Sequence, residues 1–327
     1  MKNELVTLAI SFNEEQVKGK GEDSSLRILE YPNGAVIASM DGCGGSGAKV
    51  YSKANYITGA RIASMHVGIA LKNWFETNRY GYLGTGGKSA EELAEEMKFA
   101  IREELEKQHK LVSDEESAVH SALVKIFPTT VAGALLEPLE RNLIRCLFYW
   151  AGDSRNYLLQ TTGLQQISID DIRGRGDPFD DLTQDARLSN CISFGQNYQI
   201  RTREILVSEP CMVITATDGC FSYYQSPLEL EWILLDTLAQ ADTPRQWEEF
   251  LRSTIGSFAG DDYTMNIAVI GFQNWRAVKT AYLPRRNSFE QTYYAPLQKI
   301  LDAGDQNAHL ALWQKYKAEY MPESRSV

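Results

Sequence analysis

Two short apolar runs open the chain, residues 5–12 (LVTLAISF) and residues 35–40 (AVIASM), the second led in by Pro32-Asn33-Gly34. Runs of this length between turn formers predict half-buried or fully buried strands. Over residues 59–75 the period changes. Ile62, Met65, His66, Ile69, Ala70 and Trp74 recur at three and four, which predicts an amphipathic helix. Ser89 with Glu92 makes a capping-box signature ahead of Leu93, Met97, Ile101 and Leu105, predicting a second helix. Strand patterning returns at residues 129–136, 143–151 and 156–160, and Gly152-Asp153-Ser154-Arg155 reads as the turn of a hairpin joining the last two. Residues 168–187 are polar and Asp-rich and predict a loop or flap. Residues 211–216 (CMVITA) and 265–270 (MNIAVI) predict buried strands, separated by helical runs over residues 232–238 and 244–255.

Hairpins mixed with pairs of helices favour an α+β fold over strict β-α-β alternation. After Gly271 the strand alternation stops, and residues 294–320 predict two helices, the second carrying Leu310, Trp313 and Tyr320. The chain therefore divides into a main domain, residues 1–272, and a C-terminal helical extension, residues 273–327. No repeat with a period of 20 to 50 residues is visible.

Charge narrows the partners. Among 327 residues, 33 Lys and Arg stand against 43 Asp and Glu, a net charge of −10. Such a surface repels phosphate backbones and anionic lipid, so nucleic acid and membrane are poor partners. Five dispersed cysteines without a CxxC argue against a disulfide scaffold or a zinc knuckle and for a reducing cytoplasm. No run approaches the ~18 apolar residues of a spanning helix, and the N-terminus does not read as a signal peptide. The oligomeric state has no signature.

The informative chemistry is acidic. Carboxylates sit beside glycine at strand ends in four separated places: Asp41-Gly42, Gly152-Asp153, Asp218-Gly219 and Gly260-Asp261-Asp262. One such dipeptide is most simply a turn. Four converging would demand a cation, since a buried unpaired charge costs several kcal/mol. With no HExxH, no Cys cluster and four dispersed His, the cation would be hard and oxygen-loving, Mg²⁺ or Mn²⁺. Two such ions can activate water for an in-line displacement at phosphorus.

The segments Gly21-Glu22-Asp23, Met40-Asp41-Gly42-Cys43-Gly44-Gly45, Thr129-Thr130-Val131, Gly152-Asp153-Ser154-Arg155, Thr217-Asp218-Gly219 and Asp261-Asp262-Tyr263-Thr264 stand in the order of a known family. Over about residues 5–271 the chain resembles the bacterial branch of the type 2C (PPM) metal-dependent protein serine/threonine phosphatases. The resemblance implies a four-layer αββα sandwich, two antiparallel sheets flanked by helices, with a dinuclear Mn²⁺ or Mg²⁺ site at one edge. It implies that Asp41 bridges both metals and that the Gly42 carbonyl binds one. Asp218 and Asp261 match the later ligands, with Asp261 preferred over Asp262, and Glu22 and Asp23 match the acidic pair that acts partly through water. The implied catalytic set is Asp41, Asp218, Asp261 and Glu22. The implied activity is hydrolysis of phosphoserine or phosphothreonine on proteins by a metal-bridging hydroxide.

The sequence also departs from that pattern. Lys18 stands where the family usually has a phosphate-holding Arg, and it lacks the bidentate fork; Arg155 or another base is the candidate substitute. Cys43 occupies the place of a His found in some members. Ser222 stands where an Asp commonly serves a third metal, so Asp153, which matches the other ligand there, would hold that ion weakly. Lys18 and Ser222 keep a second reading open, a pseudophosphatase that binds a phosphoprotein without turnover. A third keeps the catalysis on a small phosphorylated metabolite. Cys43 and Cys220, each directly after an Asp-Gly, read first as small buried hydrophobes and second as oxidation-sensitive thiols. His66 reads as a packed core histidine, the acidic helix over residues 89–107 as a solvated face, and Trp313, Tyr316 and Tyr320 as packing of the tail onto the domain.

Overall fold

The computed structural model describes residues 5–31, 34–82, 87–113, 125–140, 143–173, 177–182, 187–208 and 210–321. Pro32 and Asn33 of the first turn, His120, and parts of the polar 168–187 segment lie outside the described residues. One five-stranded sheet holds β1 (Val6–Glu14), β7 (Arg155–Gln160), β8 (Gly163–Gln166), β11 (Cys211–Ala216) and β12 (Tyr263–Ile270), in the order β1-β12-β11-β7-β8. The other holds β2 (Ser24–Tyr31), β3 (Gly34–Met40), β5 (Val131–Glu140), β6 (Leu143–Ala151) and β10 (Arg201–Val207), in the order β10-β6-β5-β3-β2. Every neighbouring pair is antiparallel. Two short strands, β4 (Ile126–Thr129) and β9 (Ile192–Phe194), pair separately.

The layers follow from strand alternation. In β3, Ala35 and Ile37 point between the sheets, where they meet Phe148, Leu158, Val213 and Ala268. Val36, Ala38 and Met40 point the other way, onto α1 (Gly59–Tyr82) and α2 (Ala90–Val112). All seven residues of β3 are buried because both faces of its sheet are covered. The outer face of the first sheet, with Met212, Ile214, Ile267 and Val269, is covered by α3 (Leu228–Gln240) and α4 (Pro244–Gly256). This is the expected α+β sandwich of two antiparallel sheets between helix layers. The capping box at α2 is formed: Ser89 Oγ accepts from Glu92 N, and Glu92 Oε2 accepts from Ser89 N.

Residues 152–155 do not close a hairpin. Ala151 pairs with Val131 in one sheet and Arg155 with Ala216 in the other, so the turn carries the chain across the sandwich. Gly152 makes this crossing at φ +103°, a conformation that favours glycine.

After Gly271 the chain forms α5 (Trp275–Phe289), a π-helical turn (Glu290–Tyr294), α6 (Ala295–Ala303) and α7 (Gln306–Tyr320). Phe289, Tyr293, Leu297, Trp313, Tyr316 and Tyr320 are buried in the same core as α3 and α4. Fully buried Glu231 on α3 accepts from Arg285 Nε at 2.7 Å and from Tyr316 Oη at 2.6 Å. Asp177 of the polar segment accepts from Trp313 Nε1 at 2.9 Å and Lys317 Nζ at 2.8 Å. Among the described residues no helix is long and apolar enough to cross a membrane.

Candidate metal centre

At one edge of the sandwich five chain segments end together. The core between the sheets turns polar toward this edge: Asn266 donates to Ala38 O and Ser39 Oγ, both at 3.0 Å, and its Oδ1 accepts from Ser11 and Ser25. Asn266 thereby ties the two sheets beneath the site, with its own amide satisfied.

The first segment follows β3. The carbonyl of Asp41 accepts from Thr130 N at 2.8 Å and Thr129 Oγ1 at 2.6 Å, and Cys43 N donates to Pro128 O, so the Asp41-Gly42-Cys43 loop is laced to β4. A Cβ at Gly42 would stand 2.7 Å from Glu22 O and 2.8 Å from Ala60 O, so only glycine fits there.

The second segment joins β1 to β2. Glu22 packs against Gly44, where a Cβ would collide with its carboxylate, and accepts from Thr58 Oγ1. Asp23 Oδ2 accepts from Thr217 Oγ1 at 2.7 Å, and that oxygen accepts from Thr264 N at 2.8 Å, so Asp23 joins the ends of β11 and β12. The remaining segments bring Asp153 from the crossing turn, Asp218 from the turn after β11, and Asp261 with Asp262 from the lead into β12.

These carboxylates raise one another. Burial first, then Asp218, Asp23, Asp153 and Asp261, holds Asp41 well above the usual carboxylate range. Burial and then Asp218 do the same to Asp153. Burial pushes Asp23 up to about 8, and burial followed by Asp261 pushes Asp218 up to about 6. Glu22 is raised chiefly by burial. Asp153 Oδ1 is buried without a hydrogen-bond partner among the described residues. An orphaned carboxylate oxygen beside mutually repelling acids is a donor set suited to a hard divalent cation. Among the described residues, no group of three or more His, Cys, Asp or Glu side chains is placed to hold a metal ion.

Asp261 and Asp262 differ in what they hold. Both oxygens of Asp262 serve backbone, accepting Gln16 N at 2.7 Å and Glu22 N at 2.6 Å. Asp261 is exposed, with one oxygen on the N–H of Asp262.

The basic groups differ in exposure and pairing. Lys18 is exposed on the turn closed by Lys20 N to Val17 O, with no side-chain hydrogen bond or ion pair among the described residues. Arg155 is no substrate ligand: it is 2% exposed, holds Asp170 through Nε and Nη2, and lies over the Phe221 ring at 4.2 Å. Arg61 was not foreseen. It donates to Gly21 O at 2.6 Å and Glu15 Oε1 at 3.1 Å, and its charge opposes the rise at Glu22. Its only signal was its place in the first turn of a predicted helix.

Ser222 donates its N–H to Asp218 O at 2.8 Å in the turn after β11. Cys220 is fully buried with Sγ donating to Thr264 O at 3.3 Å, so it is a packed thiol. His66 is neither core nor ligand: partly exposed, its Nδ1 meets Glu104 at 2.8 Å and links α1 to α2.

No protein-family model and no curated protein sequence matches the chain. Solved structures do. The serine/threonine phosphatase PstP/Ppp of Mycobacterium tuberculosis aligns with a TM-score of 0.55 at 19% identity, covering 81% of this chain and 99% of that one. The serine/threonine phosphatase Stp1 of Staphylococcus aureus gives 0.57 at 18% identity, covering 82% and 97%. PppA of Pseudomonas aeruginosa, described as a key regulatory component of its T6SS, gives 0.52 at 18% identity, covering 82% and 100%. At these identities the likeness is one of fold.

Proposed function

We propose that this chain, built on the fold of the bacterial PPM-type serine/threonine phosphatases, is a metal-dependent phosphatase acting on phosphoserine or phosphothreonine of proteins. The observation that carries the reading is the cluster of Asp41, Asp153, Asp218, Asp23 and Asp261, whose burial first, and mutual repulsion second, call for divalent cations at the edge where five segments end. Asp41, the Gly42 carbonyl, Asp218 and Asp261 would hold two Mn²⁺ or Mg²⁺ ions, with Glu22 and Asp23 in support. When bound, such ions supply activated water and draw charge from the phosphoryl oxygens.

The protein's own residues do the positioning. Thr129 and Thr130 fix the Asp41 carbonyl, which holds the Asp41-Gly42 loop in place. Thr217 orients Asp23, and Asp262 clamps the backbone of Glu22, leaving Asp261 for the ion. Lys18, on the exposed turn beside the acidic pair, would steer the substrate phosphate as a point charge. Ser222 in place of a carboxylate leaves Asp153 as the lone acid for a third ion, and Ser222→Asp should raise turnover. A cytoplasmic location agrees with five unpaired thiols.

The second reading, a phosphoprotein-binding module without turnover, is favoured by Lys18 and Ser222. The two separate on a phosphothreonine peptide incubated with Mn²⁺ or with EDTA. Phosphate release with Mn²⁺, absent in EDTA and in Asp218→Asn, is the expected result. Peptide retained by the protein with no phosphate released would establish the binding module instead. Faster release from small phosphorylated metabolites than from the peptide would move the substrate to that class.

A further inference from the structure

Cys43, the residue after Gly42, is partly exposed, and its thiol donates to the sulfur of Cys191. Lys125 Nζ donates to the same sulfur at 2.9 Å. Two donors on one sulfur favour its thiolate: the Cys43 hydrogen bond first, and Lys125 against the effect of burial, bring Cys191 down to about 6. The backbone builds this meeting. Thr129 of β4 bridges Gly42 on one side and pairs with Ile192 of β9 on the other, so the cysteines next to those two residues flank β4 from opposite sides. The other thiols have no such setting. Cys146 and Cys211 are raised by burial between the sheets, and Cys220 is raised by burial and spent on Thr264 O.

We propose that Cys191 and Cys43 form a peroxide-reactive thiol pair, a modification site that closes to a disulfide and disables the adjoining Asp41-Gly42 loop. The Cys191 thiolate attacks one oxygen of a hydroperoxide; an S–O bond forms, the O–O bond breaks, and the leaving oxygen takes a proton from solvent. The Cys43 sulfur then attacks the sulfenic sulfur of Cys191. The S–S bond forms, the S–O bond breaks, and the departing hydroxide takes the Cys43 proton as water. The two sulfurs together lose two electrons, which reduce one hydrogen peroxide to two waters.

Closure has a structural consequence. Adjacent strands lie about 4.8 Å apart, so backbones on opposite sides of β4 stand roughly 9 to 10 Å apart. A disulfide wants its Cα atoms about 4.4 to 6.8 Å apart. The segment that gives is Gly42-Cys43-Gly44-Gly45, three glycines in four residues, and its movement carries the Gly42 carbonyl out of place. That last step rests on the proposed function; the disulfide itself does not.

The test treats the full-length reduced protein with hydrogen peroxide and reads two things, the linked peptides by mass spectrometry and Mn²⁺-dependent phosphate release. The expected result is loss of two hydrogens, a Cys43–Cys191 peptide, and at least tenfold lower turnover restored by dithiothreitol. Cys191→Ser should keep its turnover in peroxide and yield no linked peptide. Lys125→Gln, which leaves both sulfurs in place, should form the link roughly tenfold more slowly at neutral pH. Oxidation at other cysteines, or over-oxidation of Cys43 without a link, would overturn the pair. A link with unchanged turnover would overturn the shut-off. Absence of turnover in the reduced protein would count against the phosphatase reading alone, because the peptide map still decides the thiol pair.

Discussion

Asp262 Oδ2 accepts the backbone N–H of Glu22 at 2.6 Å across 240 residues of sequence, and its other oxygen takes Gln16 N at 2.7 Å. The acid next to a proposed ligand is thus a clamp that holds the β1–β2 connection against the start of β12. Asp262→Ala should lower stability by about 1 to 2 kcal/mol and weaken Mn²⁺ binding, since two N–H groups lose a charged acceptor. Asp261→Asn should leave stability nearly unchanged and weaken Mn²⁺ binding more. Urea denaturation beside Mn²⁺ calorimetry checks both; equal effects of the two variants on stability would remove the distinction.

Two glycines should respond differently. A Cβ at Gly219 would overlap the carbonyl of Asp262, which is backbone and has nowhere to go, so Gly219→Ala should cost several kcal/mol or prevent folding. A Cβ at Gly44 meets only the end of the Glu22 side chain. Gly44→Ala should fold, with a melting temperature close to the parent, and lose Mn²⁺ affinity because Glu22 is pushed aside.

The metal-free protein should lose stability as pH rises. Asp23 is held up to about 8 and Asp218 up to about 6, against an ordinary 3.8, so between those values the folded state binds more protons than the unfolded one. The stabilisation is complete below about 4 and is lost as pH climbs through 6 to 8. Bound Mn²⁺ would take the place of those protons. Melts in EDTA should therefore fall from pH 5 to pH 8, with the gain on adding Mn²⁺ widening over the same range. An EDTA curve that rises over that range would contradict the electrostatic account.

The C-terminal helices should be inseparable from the sheet they cover. Arg285→Ala leaves fully buried Glu231 with a lost ion pair and should cost about 3 to 5 kcal/mol, read by urea denaturation. A chain ending at residue 272 would expose the faces that Trp313, Tyr316 and Tyr320 cover and should be insoluble or unfolded.

What the sequence could reveal was set by range. The β3 run and the buried β11 and β12 runs were readable because strands covered on both faces are continuously apolar, and the α2 cap because its partners are three residues apart. The edge strand β2, with Arg27 and Glu30 in it, carries no such run and went unpredicted. The hairpin reading of residues 152–155 failed because local pattern gives strand, turn and strand, while which sheet each strand joins is decided by partners far away. The acids were visible as Asp-Gly and Gly-Asp steps at strand ends. Their second layer was not: Thr217 on Asp23, Asp262 on Glu22, and Cys191 on Cys43 are contacts over 148 to 240 residues that no spacing rule encodes.

The central claim is that this acidic edge, loaded with divalent ions, hydrolyses phosphomonoesters. The most direct measurement is p-nitrophenyl phosphate hydrolysis by the purified protein in Mn²⁺, Mg²⁺ or EDTA, beside Asp41→Asn and Asp218→Asn. The account predicts turnover with Mn²⁺ or Mg²⁺, none in EDTA, and a loss of at least a hundredfold in both variants. Turnover that survives EDTA, or that either variant retains, would contradict it.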